Sequence, residues 1–247
     1  MSALLVQGRL ALVTGASSGM GRETCKVLAR EGATVVVTCI DEAGANETLK
    51  LLSGEDHSVM KYDVSEHKSA LELLKRIIEK YKRPPNVLVN CAGICTFPPV
   101  LEETPESFQR VLDVNLKGTF FTSQAVCKEL IAAKLPGAIV NISSMTGHRG
   151  FQNMSSYAAS KNGIEAVTKC MAKDMSPHNI RVNAVQPGMI DTAMSVGATQ
   201  DVLDFWFAQC ATKRKGRPEE VAETIAYLVS DRASYINGAC VPVSGGF

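Results

Sequence analysis

Leu10-Ala11-Leu12-Val13-Thr14-Gly15-Ala16-Ser17-Ser18-Gly19-Met20-Gly21 is the stretch that decides the fold. Its first five residues are a short apolar and β-branched run, the pattern of a buried strand. Glycines follow at once, and an amphipathic helical pattern then occupies residues near 21–31. The glycines permit a tight turn and let a ligand approach the backbone. The helix start offers free N–H groups and a positive dipole end to a pyrophosphate. A glycine cluster alone also fits an ordinary strand-to-helix turn. The second β-branched run at Thr34–Thr38 supplies the strand-helix-strand context that a dinucleotide site needs.

Outward from this unit the same alternation continues. Candidate strands are Leu10–Thr14, Thr34–Thr38, Ser58–Tyr62, Val87–Asn90, Ala138–Ile142, Arg181–Val185 and Ala239–Val243. Helical patterns lie between them, near 21–31, 42–53, 66–81, 105–133, 156–176 and 218–230. Strands alternating with helices at this spacing predict a parallel sheet with crossover helices on both faces. The expected fold is therefore α/β, a single-domain Rossmann-type doubly wound sheet of seven parallel strands. No internal repeat or linker-like shift in composition divides the 247 residues, so one domain is expected. Residues 189–216, between the sixth and seventh strands, break the rhythm. Long connections of this kind are often lids.

Composition excludes several function classes. Lysine plus arginine is 26 and aspartate plus glutamate is 25, a formal net charge of +1. That balance gives no electrostatic signature of a nucleic-acid partner. No apolar run reaches the roughly 18 residues of a membrane span. The eight cysteines are scattered, and Cys91 and Cys95 have the wrong spacing for a zinc or redox pair. The four histidines, 57, 67, 148 and 178, have no metal-ligand spacing, so no metal is expected. Met1 to Val6 carries no secretory signal pattern. Together these features predict free thiols in a reducing compartment, cytoplasm or mitochondrial matrix, and no secretion.

Chemistry enters with Tyr157-Ala158-Ala159-Ser160-Lys161 at the start of a helix. Positions i and i+4 share one face, so phenol and ammonium lie side by side. A nearby cation is expected to lower the phenol's pKa, fitting it to donate and accept a proton. Ser144 lies just past the fifth strand, at the carboxyl edge where ligands of parallel sheets bind. Alone, the tyrosine–lysine pair is an ordinary surface motif; beside the glycine turn and Ser144 it predicts a catalytic group. Asp41, 20 residues past Gly21, is the candidate for the ribose 2′-hydroxyl of NAD. No arginine or lysine stands at 16–18 or 38–45 for a 2′-phosphate, and Arg22 is the nearest cation. NAD is thus expected over NADP.

With these residues in place, the chain resembles the short-chain dehydrogenases/reductases over nearly its whole length. The resemblance is carried by Thr14–Gly21, Asp63-Val64, Asn90-Cys91-Ala92-Gly93, Asn115 in Val-Asn-Leu-Lys-Gly, Ser144, Tyr157 with Lys161, and Pro187-Gly188 with Thr192. It implies a catalytic tetrad of Asn115, Ser144, Tyr157 and Lys161. Tyr157 is the implied acid/base, and Lys161 tunes it and holds the ribose. Ser144 bonds the substrate oxygen, and Asn115 kinks its helix and holds a water. It further implies cofactor contacts from Gly15, Ser17, Ser18, Gly19, Met20 and Gly21, and from Asp63 and Val64 at the adenine. Asn90, Ala92, Gly93, Pro187, Gly188, Ile190 and Thr192 follow along the cofactor. A homotetramer is also implied. Two departures stand out: Cys39 holds the place where NAD-using members put an aspartate, and Cys91 replaces an asparagine.

The run Gly216-Arg217-Pro218-Glu219-Glu220-Val221-Ala222 and the ending Val243-Ser244-Gly245-Gly246 resemble 3-oxoacyl-(acyl-carrier-protein) reductases and 17β-hydroxysteroid dehydrogenases of type 8. Where the acyl-carrier reductases place arginines, this chain has Lys134-Leu135 and His178. The expected activity is hydride transfer between a nicotinamide cofactor and a hydrophobic secondary alcohol or ketone, of 3-oxoacyl thioester or hydroxysteroid type. A carbonyl or sugar-alcohol oxidoreductase is the alternative. A non-catalytic NAD(P)-binding sensor has no need of all four tetrad residues. A serine hydrolase built on Ser144 and His148 lacks the Gly-x-Ser-x-Gly turn. Within 189–216, Val202, Phe205 and Trp206 share a helical face, which predicts an apolar lid over a hydrophobic substrate.

Overall fold

Leu10–Thr14 forms β1, and every one of its residues is buried. A strand covered on both faces needs a continuous apolar run rather than an alternating one. In the computed structural model, residues 4–66, 68–196 and 199–247 are described. Met1–Ala3, His67 and the Gly197-Ala198 pair of the expected lid lie outside them.

After β1 come α1 (Gly19–Arg30), β2 (Thr34–Cys39), α2 (Glu42–Lys50), β3 (Ser58–Lys61), α3 (Ser69–Tyr81) and β4 (Val87–Asn90). Next are α4 (Pro105–Leu112), α5 (Gly118–Ala132), β5 (Gly137–Ile142), α6 (Thr146–Arg149), α7 (Ser155–Met175) and β6 (Ile180–Pro187). The last elements are α8 (Gln200–Gln209), α9 (Pro218–Val229) and β7 (Cys240–Val243). The strands lie in the order β3-β2-β1-β4-β5-β6-β7, and all pair in parallel. The chain winds outward from β1, then returns to its other side at β4. That reversal opens a crevice at the strands' carboxyl ends.

Two apolar layers sandwich the sheet. One joins Leu28 of α1 and Val221, Ile225 and Leu228 of α9 to Val13, Val35 and Val140. The other joins Leu74 and Ile77 of α3, Leu130 of α5 and Met171 of α7 to Leu12, Leu88 and Val182. The seven expected strands appear, every end within two residues of its expected place. The expected helix 105–133 does not run unbroken. A π-turn at Asp113–Lys117 separates α4 from α5 and holds the buried Asn115. Inserting a residue into a helix in this way re-aims a side chain, as π-bulges at functional sites do. Gly118 follows because a Cβ there would lie 2.9 Å from Val64.

Candidate active site

The glycine turn forms one wall of a cavity of about 800 Å³ at the sheet's switch point. Gly15, at φ +62°, cannot carry a side chain: a Cβ would lie 2.6 Å from the Cα of Ala92. Thr14 fixes this close approach, its hydroxyl accepting from the backbone N–H groups of Cys91 and Ala92, each at 3.1 Å. These bonds involve only backbone at position 91, which explains why cysteine can stand there. No side chain caps α1 at Ser18, and no acidic residue occupies its first turn. The helix therefore turns uncapped N–H groups and its positive end toward the cavity, a donor set that fits a pyrophosphate.

Ser17, Ser18, Gly19, Met20, Gly21, Asp63, Val64, Ala92, Gly93 and Thr192 line the same cavity. Lys161 and Asn115 stand behind Gly93, where a Cβ would come 3.5 Å from Lys161 Nζ and 3.3 Å from Asn115 Oδ1. Asn115 pairs with the backbone of Ile94 in both directions: Oδ1 accepts from its N–H at 2.8 Å and Nδ2 donates to its carbonyl at 2.9 Å. Nδ2 also reaches Ser160 Oγ at 3.0 Å, which locks the π-turn to α7. Lys161 Nζ donates to the Ile142 carbonyl at 2.7 Å and lies 5.5 Å from the centre of the Tyr157 ring. The Ser144 hydroxyl accepts from the Thr146 N–H at 3.2 Å and the Thr146 hydroxyl at 2.8 Å. Its own hydrogen is thereby left to donate elsewhere.

Electrostatics correct one expectation. Burial dominates the phenol and pushes the Tyr157 pKa up, with Cys95 adding to the rise; the Ser144 hydroxyl works the other way. Burial also pulls the Lys161 pKa down, from 10.5 to about 8. The pair's side-by-side geometry is as expected, but desolvation outweighs the attraction.

These residues and this sheet order match a known group of enzymes. A family model described as Enoyl-(Acyl carrier protein) reductase matches residues 15–247. The human (3R)-3-hydroxyacyl-CoA dehydrogenase is 40% identical over 250 residues, covering 98% of this chain and 96% of that protein. The chain belongs to the short-chain dehydrogenase/reductase family. The 3-oxoacyl-(acyl-carrier-protein) reductase of Thermotoga maritima is 37% identical over 243 residues, covering 98% of each. A solved structure from Agrobacterium tumefaciens with bound NADP superimposes with a TM-score of 0.91 at 32% identity, covering 100% of this chain and 98% of that one. This short-chain dehydrogenase/reductase is an NAD(P)-dependent oxidoreductase acting on CH–OH and ketone groups.

Not every expected cofactor residue reaches the cavity wall. Asp41 caps α2, its carboxylate accepting from the Gly44 N–H at 3.1 Å, while Cys39 and Ile40 line the cavity in its place. The helix start has claimed the aspartate, so the structure does not place it at the ribose. Arg22 is likewise engaged, its guanidinium donating to Thr48 Oγ1 and the Ser17 carbonyl. Asn90 is buried and bonds Ser123 and Asn141, each at 2.8 Å. Gly188 and Ile190 line a second cavity of about 320 Å³, and Pro187 accepts from the Met145 N–H at 3.1 Å. Residues that sequence reasoning missed include Tyr62, Arg110, Ala193 and Met194, all on the main wall.

Within the 189–216 segment, Thr192, Ala193 and Met194 line the main cavity, while Trp206, Phe207 and Cys210 line the second one. Ile190 bridges to Gly216, closing the segment's base. Within α8, Val202 and Phe205 are exposed, but Trp206 does not share their outlook. Its ring stacks between Phe151 at 4.9 Å and Phe247 at 4.3 Å, and the Arg149 guanidinium lies 4.7 Å from the Phe247 ring.

Proposed function

We propose that Ser144, Tyr157, Lys161 and Asn115 carry out the hydride-transfer chemistry, with Tyr157 as acid in reduction and base in oxidation. The observation that carries this reading is that Lys161 and Asn115 meet at Gly93 on the wall of the glycine-lined cavity, with the Tyr157 ring 5.5 Å from Lys161 Nζ. The nicotinamide ring of the cofactor supplies or accepts the hydride. Ser144, held by Thr146, donates its free hydrogen to the substrate oxygen and orients it. Tyr157, kept protonated by burial, gives its proton to that oxygen in the reductive direction. The Lys161 ammonium then stabilises the phenolate formed. The uncapped α1 terminus and Gly15–Gly21 hold the pyrophosphate. Substituting Tyr157 by Phe tests the assignment: turnover is lost while the dinucleotide still binds.

The finer features follow from the cavity's surroundings. Met194 on the main cavity, Trp206 and Phe207 on the second, and the exposed Val202 and Phe205 of α8 favour a hydrophobic substrate, of 3-oxoacyl thioester or hydroxysteroid type, with 189–216 as its lid. Cys39 and Ile40 bring no cation to the 2′ position, and Arg22 is engaged elsewhere, which favours NAD. Small exposed residues on the outer face of α7, Ala159, Ala166 and Cys170, leave room for a second copy and support a homotetramer. Free cysteines favour a reducing compartment, cytoplasm or mitochondrial matrix. Among the described residues no helix is long and apolar enough to cross a membrane.

A further inference from the structure

Glu165 is a buried carboxylate that the proposed chemistry does not use. It is 1% exposed, one helical turn beyond Lys161 on the same face of α7. A buried carboxylate is costly unless its oxygens are paired, and by itself such a group is weak evidence for stability. Here the partners come from two other segments. Oε1 accepts from Ser143 Oγ at 2.8 Å and from Gln186 Nε2 at 2.7 Å. Oε2 lies 2.7 Å from His148 Nε2 but has no hydrogen-bond partner among the described residues, and that His148 nitrogen also meets Gln186 Nε2. The Ser143 hydroxyl also lies 3.0 Å from the Lys161 carbonyl.

Each partner is a direct neighbour of the site. Ser143 precedes Ser144, and Gln186 precedes Pro187-Gly188. We infer that Glu165 is a positioning residue whose carboxylate holds the Ser144 loop, the Lys161 turn of α7 and the end of β6 in one arrangement, with half-exposed His148 as its outward partner. This role rests on the reading of Ser144, Tyr157 and Lys161 given above. It acts through geometry: the Ser143–Ser144 loop and the end of β6 share one acceptor on α7, and Ser143 also reaches the Lys161 carbonyl. Losing that acceptor frees Ser144 to drift from the tyrosine without dissolving the core. Displacements of about 1 Å at a reacting centre cost about 10²-fold in rate.

The test compares Glu165→Ala, Glu165→Gln and His148→Ala with wild type, using acetoacetyl-CoA and reduced nicotinamide dinucleotide, and reads amide hydrogen exchange in parallel. Glu165→Ala is expected to lower kcat at least about tenfold. KM should stay within about threefold of wild type. Exchange should quicken together in peptides spanning 143–150, 157–165 and 186–190. Glu165→Gln keeps an acceptor for Ser143 and Gln186 and should restore both kcat and exchange. His148→Ala, at a half-exposed site, should move both readouts the same way by a smaller factor, and added imidazole should reverse it. Wild-type kcat and exchange in Glu165→Ala overturn the inference. So does an equal loss in Glu165→Gln accompanied by an equal fall in melting temperature, which marks a merely structural group. If Glu165→Ala does not fold, unchanged exchange in 143–150 and 186–190 of His148→Ala overturns it. A Tyr157→Phe control that keeps turnover defeats the tetrad reading instead, while the exchange pattern still judges Glu165.

Discussion

Replacing Lys161 by Met should stabilise the cofactor-free protein while disabling it. The ammonium is 4% exposed, and burial lowers its pKa from 10.5 to about 8. The folded state therefore binds fewer protons than the unfolded chain between those two values. Stability rises with pH across that window, and below pH 8 the buried charge exerts its full penalty. A shift of this size corresponds to about 3 kcal/mol against the folded state at pH 7. Met fills similar space without charge, but it leaves the Ile142 carbonyl without its 2.7 Å partner. An orphaned buried acceptor costs about 1–3 kcal/mol. The net runs from about zero to a gain of about 2 kcal/mol, or up to roughly 8 °C in melting temperature for a chain of this size. Thermal and urea unfolding at pH 7 and pH 10, without cofactor, measure it. The advantage should shrink or reverse at pH 10, and kcat should fall by at least about 10²-fold. A variant less stable than wild type at pH 7, with a gap indifferent to pH, refutes the reasoning.

Asp41→Ala should leave kcat/KM for NAD within about twofold, while destabilising α2 by about 1 kcal/mol through loss of its cap; urea titration and kinetics separate the two. Cys39→Asp should move cofactor preference toward NAD by about tenfold in the ratio of kcat/KM values, because it restores a ribose acceptor at the cavity wall. Trp206 fluorescence should change when substrate joins the enzyme–cofactor complex, and Trp206→Ala should raise KM more for large apolar substrates than for small ones; equal effects without a spectral response make the segment structural. Light scattering at micromolar concentration should give four times the 26.5 kDa chain mass, and a monomer refutes the assembly.

The sheet was legible because its central strands, β1, β4, β5 and β6, are buried runs, cut off by glycine or polar residues. The cradle was legible because Gly15 tolerates no side chain where β1 meets the 91–93 turn. Asn115's π-turn carries no period of its own, so the helical pattern at 105–133 passed smoothly across it; only the family resemblance marked the kink. Asp41 satisfied two readings at once, ribose ligand and helix cap. The Asp41-Glu42-Ala43-Gly44 start of α2 favoured the cap, which the structure shows. Glu165 was within reach of sequence reasoning, since Tyr157, Lys161 and Glu165 recur every four residues on one helix face. Phe247 stacking on Trp206 was not, because that contact joins the carboxy-terminal residue to α8 through tertiary packing alone. The direction of the Tyr157 shift also needed the fold, since burial depth decides it and a four-residue spacing does not.

Hydride transfer by wild type and Tyr157→Phe, followed by absorbance of the reduced nicotinamide, tests the central claim most directly. Each protein is paired with NADH or NADPH and with steroids, acetoacetyl thioesters, small ketones and sugars. Wild type should turn over at least one hydrophobic ketone, and the variant should fall at least about 10²-fold on it while its dinucleotide affinity holds. Near-normal turnover by the pure variant would contradict the account.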